Sequence, residues 1–318
     1  MENKSLADIT AIILAYNEEK HIQRCIQSLK FHIKRIVVID NYSTDNTLSI
    51  LKKNNIEVFQ NKFINYAIQF TWGMNISEIK TKWILRIDSD EYLTKEFAAT
   101  ISDKLNALAS NISGVSINRR NIFLGKEIKF GGTFPQKIVR IWKNGKGKIN
   151  DVWCDENVLV DGKIEYINQD IIDNRLIDLN LWIAKHKEFA NRETINFFTH
   201  FQNNTRIDNK SFDKSKSEKR RYFLKHNVYY KAPIILRPVL YFVYRYFLLF
   251  GFLDGWQGLK YHYLQGFWYR FLVDLKILRI KKIMKKSKLS LSQAIKSEFN
   301  YDIEEIMKKN ENININKN

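Results

Sequence analysis

Residues 82–93 read KWILRIDSDEYL. Trp83, Ile84, Leu85 and Ile87 make a short apolar run that stops at three acids, Asp88, Asp90 and Glu91. A short continuous run of this kind is expected for a strand buried on both faces. Acids at its end are either a solvated turn or oxygen ligands for a cation. The flanking sequence decides between these. ITAIILA (residues 9–15), RIVVID (35–40) and IEVFQ (56–60) are further strand-like runs. Between them, Ile22, Cys25, Ile26 and Leu29 recur at helical spacing behind Asn17 as a predicted N-cap, with Glu18 and Glu19 in the first turn. NYSTDNTLSILKK (41–53) reads as a turn and helix, and NYAIQFTWGMNIS (65–77) as a helix. Such alternation predicts an α/β protein with a mainly parallel sheet flanked by helices.

Ligands of such sheets sit beyond the carboxyl ends of the strands. Three polar clusters fall there: Tyr16-Asn17-Glu18, Asp40-Asn41, and Asp88-Ser89-Asp90-Glu91. One would be turn chemistry; three predict a shared polar site. The chain has no GxGxxG and no GxxxxGK[ST], which disfavours a dinucleotide fingerprint or a P-loop.

Residues 111–173 look strand-rich, and 177–198 look like a long amphipathic helix. The expected organisation is a catalytic domain over 1–201, a polar linker over 202–221, a membrane-associated helical region over 222–290 and a polar tail over 291–318. The formal net charge of +18 favours anionic partners. No specific nucleic-acid motif is present, and the basic residues of the C-terminal third lie among aromatics, so the expected partner is an anionic membrane surface. PVLYFVYRYFLLFGFLDGW (238–256) reaches the length of a short span, but Arg245 and Asp254 would each cost about 2.5–3.5 kcal/mol at a bilayer centre. An interfacial amphipathic hairpin is the expectation, with packing against the sheet as its rival. Two cysteines without metal or disulfide spacing and a polar start fit a cytoplasmic protein attached peripherally to the inner face of the membrane. A homo-oligomer is left open.

AIILAYNEEKHIQRCIQSL, IVVIDNYSTDNT and KWILRIDSDEYL together resemble the family 2 glycosyltransferases, which have the GT-A fold. The resemblance is strong over residues 9–93 and weaker to 198. GFLDGWQGLKYHYLQGFWYRF (251–271) also resembles the tail of the subgroup that builds lipopolysaccharide core, capsule and exopolysaccharide. The resemblance implies a hexosyltransferase using a nucleotide-sugar donor, a UDP-sugar favoured, with Mn²⁺ or Mg²⁺. It implies an inverting transfer to a glycan or lipid-linked acceptor.

By resemblance, Asp88 and Asp90 form a DxD motif, with Asp90 the more direct metal ligand and Asp88 nearer the ribose or a metal-bound water. Glu91 supports the site or caps the next helix. Asp40 matches a base-binding aspartate, Ala15, Tyr16 and Glu18 surround the nucleoside, and Gln69 belongs to the donor side. Where relatives often carry a basic residue after that glutamine, Phe70 and Thr71 stand here, so diphosphate neutralisation rests more on the metal and on other cations such as Arg86 or Arg140. DVWCDENVLVDG (151–162) resembles the family's base segment, with Glu156 the base and Asp155 the runner-up. Where the family often places a histidine downstream, Asp173 stands, which supplies no expected third metal contact. Two rival functions are transfer to polyprenyl phosphate, and a non-catalytic basic protein binding membrane or nucleic acid on a GT-A scaffold.

Overall fold

The four apolar runs of the N-terminal part are strands in the computed structural model, which describes residues 6–150, 153, 156–176, 178–202 and 223–303. β1 (Ala7–Ala15), β2 (Ile33–Asp40), β3 (Glu57–Gln60) and β4 (Trp83–Arg86) pair in parallel in the order β3–β2–β1–β4. Their side chains feed two hydrophobic clusters, one through Ile9, Ile13 and Val38, the other through Ile12, Val37 and Ile39. Two-sided burial is why these strands read as continuous apolar runs. α1 (Ile22–Leu29), α2 (Thr47–Lys53) and α4 (Lys95–Asn106) contribute to the first cluster, and α3 (Tyr66–Ile76) to the second through Ala67 and Phe70. α3 lies so close to β2 that a Cβ on Gly73 would stand 2.6 Å from Ile39 Cγ1.

α1 begins at Ile22, later than expected. Asn17 takes a left-handed φ of +53° and does not cap it. Its side-chain oxygen accepts instead from the Thr44 N–H at 2.8 Å, bracing the loop after β2.

Beyond β4 the sheet becomes mixed. β5 (Glu91–Leu93), β6 (Ile112–Phe123), β7 (Lys126–Ile128), β8 (Gln136–Lys143) and β11 (Lys163–Asn174) extend it in the order β4–β8–β6–β11–β5, with β7 on β6. Only β6 and β11 are parallel in this half; β9 (Gly147–Ile149) and β10 (Val158–Val160) form a separate hairpin. The α/β class is as expected, and its parallel part is the half that carries the three strand-end clusters.

α5 (Leu179–Asn196) leads to the helical region: α6 (Leu236–Val243), α7 (Gly255–Tyr261), α8 (Tyr269–Ser287) and α9 (Leu291–Phe299). Ala190, Ile195 and Phe197 of the α5 end share one core with Val273, Ile277 and Ile295. The core of the C-terminal helices therefore begins before residue 201. It also extends past 290. Residues 291–299, expected within the polar tail, form α9, started by a Ser290–Gln293 capping box and buried through Ala294 and Ile295. Of the expected linker, residues 203–221 lie outside the described residues.

Among the described residues no single helix is long and apolar enough to cross a membrane; Leu236–Leu248 and Gly251–Ser287 pass that test only as a pair bent by 71°. The bend faces the sheet. Arg245 Nε donates to Gly131 O at 2.7 Å and Nη2 to Thr133 Oγ1 at 2.8 Å. Asp254 accepts from the Lys129 and Phe130 N–H groups at 3.1 and 2.8 Å. The two charged side chains that a bilayer would penalise are thus hydrogen-bonded to the loop after β7, Arg245 through uncharged partners. His262 is wholly buried beside that loop, and a Cβ on Gly131 would fall 2.1 Å from its ring. The opposite face of the bend exposes Leu236, Val239, Phe247, Leu248 and Trp256, the last at 77%.

Candidate active site

The loops after β1 and β2 are cross-linked backbone to side chain. Asn17 N–H donates to Ser43 Oγ (2.9 Å), Glu18 N–H to Thr47 Oγ1 (2.8 Å) and Glu19 N–H to Asp45 Oδ2 (3.1 Å). The buried Glu18 carboxylate meets His21 Nδ1 at 2.6 Å and Lys185 of α5 at 3.3 Å. Ala15 is buried at the end of β1, whereas Tyr16 is exposed; both line a cleft of about 1790 Å³ over the strand ends. Glu18, Gln69, Asp88, Asp90, Arg140 and Glu156 line the same cleft.

Asp40 is placed differently. Its side chain is fully buried and does not line the cleft, although its neighbours Ile39 and Asn41 do. Oδ1 accepts from Ser43 Oγ (2.5 Å), and Oδ2 from Ser43 N–H (2.9 Å) and Gln60 Nε2 (3.0 Å). Here Asp40 closes the turn after β2. Gln69 is also self-contained, exchanging two 2.9 Å hydrogen bonds with Asn61.

At the end of β4 the acids are wired to arginines. Asp88 Oδ1 accepts from the Tyr66 hydroxyl at 2.7 Å, and Oδ2 faces Arg140 Nη2 at 3.3 Å. Arg86 Nε donates to the same Tyr66 oxygen at 2.9 Å, and Nη1 to the Glu156 carbonyl at 2.9 Å. One chain of contacts thus joins Glu156, Arg86, Tyr66 and Asp88. Burial by itself would raise the Asp88 pKa; Arg140, Arg86 and Tyr66 outweigh it and hold the carboxyl below its ordinary value.

Glu91 carries no exposed surface to speak of; its Oε2 accepts from the Asp88 N–H (3.0 Å) and its Oε1 meets Arg140 at 2.5 Å. It therefore supports Asp88 and Arg140, as expected. Burial, then the charges of Asp88 and Asp173, push its pKa up to about 7 against the pull of Arg140. Asp173 stands opposite Glu91 because β11 pairs with β5 in that register. Its own pKa is raised by burial and by Asp90.

Arg175, which the sequence reading missed, bonds the Asp90 carboxylate through Nε. Arg24 of α1 donates to the Asp90 carbonyl at 3.2 Å. Nothing in the local pattern of either arginine signals this, because both partners are distant in sequence. The two motif acids therefore differ in openness: the Asp88 side chain is 29% exposed, that of Asp90 only 7%.

For a cation, the available donors are hard carboxylate oxygens. Among the described residues no group of three or more His, Cys, Asp or Glu is arranged to hold a metal. One or two carboxylates completed by substrate phosphates is nevertheless the usual mode for Mg²⁺. Asp88, open to the cleft, fits that mode; the Asp90 carboxylate beside it is bonded by Arg175. Of the two base candidates, Glu156 borders the cleft and Asp155 lies outside the described residues. Trp142 is fully buried against Phe70 and belongs to the core.

The cleft does not end at the sheet. It continues between α5 and the helical region, where Lys225, Arg237, Arg245, Arg270 and Tyr241 line it.

Residues 10–158 match the family model described as glycosyl transferase family 2. The chain is 35% identical over 97 residues to the SPbeta prophage-derived glycosyltransferase SunS of Bacillus subtilis, covering 30% of this chain and 23% of that protein. It is 26% identical over 145 residues to the lipopolysaccharide core biosynthesis glycosyltransferase LpsC of Rhizobium meliloti, covering 44% and 52%. The matches thus span a quarter to a half of these relatives' own length. Among solved structures, it aligns with glucosyl-3-phosphoglycerate synthase from Mycobacterium tuberculosis at 19% identity and a TM-score of 0.31, covering 35% of this chain and 44% of that one. The similarity to glycosyl transferase family 2 thus lies over residues 10–158, the stretch that holds the parallel half of the sheet and the strand-end acids.

Proposed function

We propose that the chain is a metal-dependent, inverting glycosyltransferase that moves a sugar from a nucleotide-sugar, a UDP-sugar favoured, to a hydroxyl of a lipid-linked or cell-surface glycan. The observation that carries this reading is that Asp88 and Glu156 line one cleft, the Glu156 main-chain carbonyl being tied to Asp88 through Arg86 and Tyr66. The lipopolysaccharide-core name of the Rhizobium relative supports a surface-glycan acceptor.

The acceptor oxygen attacks the anomeric carbon from the face opposite the nucleotide. The new C–O bond forms as the bond from sugar to phosphate breaks, its electron pair leaves with the diphosphate, and the hydroxyl proton passes to the Glu156 carboxylate. Asp88 and Asp90 would hold Mn²⁺ or Mg²⁺, which supplies positive charge to the leaving diphosphate. Arg86 and Arg140, both buried at the cleft wall, add fixed positive charge there without reorganising.

Two tests apply. With Mn²⁺ present, a panel of UDP-, GDP- and dTDP-sugars should yield at least one that binds and is slowly hydrolysed; no binding at all would leave the non-catalytic reading. Glu156→Gln should lower turnover by about a hundredfold or more with a hydroxyl acceptor. A polyprenyl-phosphate acceptor is already ionised and needs no base, so unchanged turnover would favour that second reading.

The exposed apolar face of the bend, with a formal net charge of +18, supports attachment to the inner face of the cell membrane. The protein should float with anionic vesicles, and Trp256→Ser with Leu248→Ser should release it. Failure of the unaltered protein to float ends that proposal.

A further inference from the structure

The inner part of the cleft has a charge imbalance that the transfer of a sugar does not use. Lys225, Arg237, Arg245 and Arg270 all line it. Among the described residues two carboxylates answer them. Glu193 takes Lys225 (2.9 Å) and Arg270 (2.6 Å), and the Tyr269 hydroxyl at 2.6 Å. Asp274 takes Arg237 Nε at 2.9 Å, while Arg237 Nη1 has no partner although the side chain is 1% exposed. Arg245 is buried against the Gly131 carbonyl and the Thr133 and Tyr241 hydroxyls, and among the described residues it has no ion pair. A buried guanidinium without a carboxylate is costly unless an anion arrives. The same excess shows at Tyr241: burial would raise its pKa, yet Arg245, Arg270 and Lys225 lower it.

The approach to this compartment is apolar. Leu224, Val228, Leu240 and Tyr244 line the cleft and are also exposed, Val228 at 56% and Leu240 at 52%. They merge with the outward face of α6 at Leu236 and Val239. A cationic interior behind a hydrocarbon-like rim matches an anion joined directly to an apolar chain.

We infer that this compartment is the acceptor subsite, and that it takes a lipid-linked phosphate or diphosphate, the phosphate among Arg237, Arg245, Arg270 and Lys225 and the chain across Leu240 and Val228. The inference rests on the glycosyltransferase reading and narrows its acceptor to a phospholipid-like carrier.

The test is calorimetric binding of farnesyl diphosphate to the full chain, without donor or metal, with pyrophosphate and farnesol as comparisons. Farnesyl diphosphate should bind at least about tenfold more tightly than either. Arg245→Gln should weaken it by about tenfold or more, in line with loss of a charged hydrogen bond. Since Arg245 also holds the loop at Gly131, the milder Lys225→Gln and Leu240→Ser should each weaken it as well, with circular dichroism unchanged. Binding no tighter than pyrophosphate, which marks an ordinary phosphate site, or binding indifferent to Lys225→Gln and Leu240→Ser, overturns the inference. UDP binding with Mn²⁺ is read on the same samples: UDP without farnesyl diphosphate sinks the subsite alone, and the converse sinks the donor reading.

Discussion

At the residue scale, Tyr66 and Arg140 matter as much as the acids they hold. Tyr66 is the hydroxyl between Arg86 and Asp88, and its ring also lies under the Arg86 guanidinium at 4.2 Å. Tyr66→Phe keeps the ring and removes the relay. It should cost about 1 kcal/mol of stability and reduce Mn²⁺-dependent UDP binding several-fold, whereas Asp88→Asn should abolish that binding. Isothermal titration of UDP with and without Mn²⁺ reads both; a Tyr66→Phe protein as inactive as Asp88→Asn would give Tyr66 a direct role. Arg140 is buried between two carboxylates. Arg140→Met leaves Asp88 and Glu91 facing each other and should destabilise by about 3–5 kcal/mol in chemical denaturation. Adding Glu91→Gln should recover part of that loss; no recovery would mean that the pair is not what Arg140 neutralises.

At the element scale, legibility followed burial. β1, β2 and β4 are buried on both faces, so their apolar runs stood out, and the acids of KWILRIDSDEYL fell where a parallel strand must deliver them. The start of α1 did not stand out, because Asn17 makes its cap-like hydrogen bond to Thr44 of another loop. Arg175 was equally hidden: β11 pairs with β5, and only that register sets it beside Asp90. Asp40 was legible as a strand-end acid, but its attachment to Ser43 and Gln60 depends on how the turn closes. The packing of α3 on β2 offers a direct check. Gly73→Ala places a methyl 2.6 Å from Ile39 Cγ1, an overpacking that should cost about 1–3 kcal/mol. Ile39→Ala removes the obstructing Cγ1 and Cδ1, so the double variant should be more stable than additivity predicts. Additive losses in urea midpoints would show that the two elements separate instead of pressing on each other.

On the scale of the whole molecule, the helical region is fastened to the sheet by the Lys129–Thr133 loop, and the fastening buries His262. KFGGTFP (129–135) carried a hint in its paired glycines: Gly131 and Gly132 both take positive φ, and Gly131 has no Cβ to strike the imidazole. What the loop would meet was not readable, since Arg245, Asp254 and His262 lie more than a hundred residues later. Burial, with Arg245 nearby, pushes the His262 pKa down to about 3 from an ordinary 6.5; burial likewise pushes His186, stacked on Trp182, down to about 4. A folded-state pKa below the unfolded one means that the unfolded chain binds the proton first. Stability from a neutral His262 is therefore complete above pH 6.5 and is lost as the pH falls toward 3, at about 1.4 kcal/mol per pH unit. Glu91, pushed up to about 7, works in the opposite sense: its contribution is present below its ordinary 4.5 and is lost as the pH rises through 7. The two partly offset each other in the unaltered protein, so the difference from a variant is the informative quantity. His262→Leu should be less stable by a constant amount above about pH 7. Below that the gap should close, by about 2 kcal/mol between pH 6.5 and 5, in urea unfolding followed by circular dichroism. A gap independent of pH across that interval would mean that His262 is protonated in the folded protein and that the junction is not sealed from water.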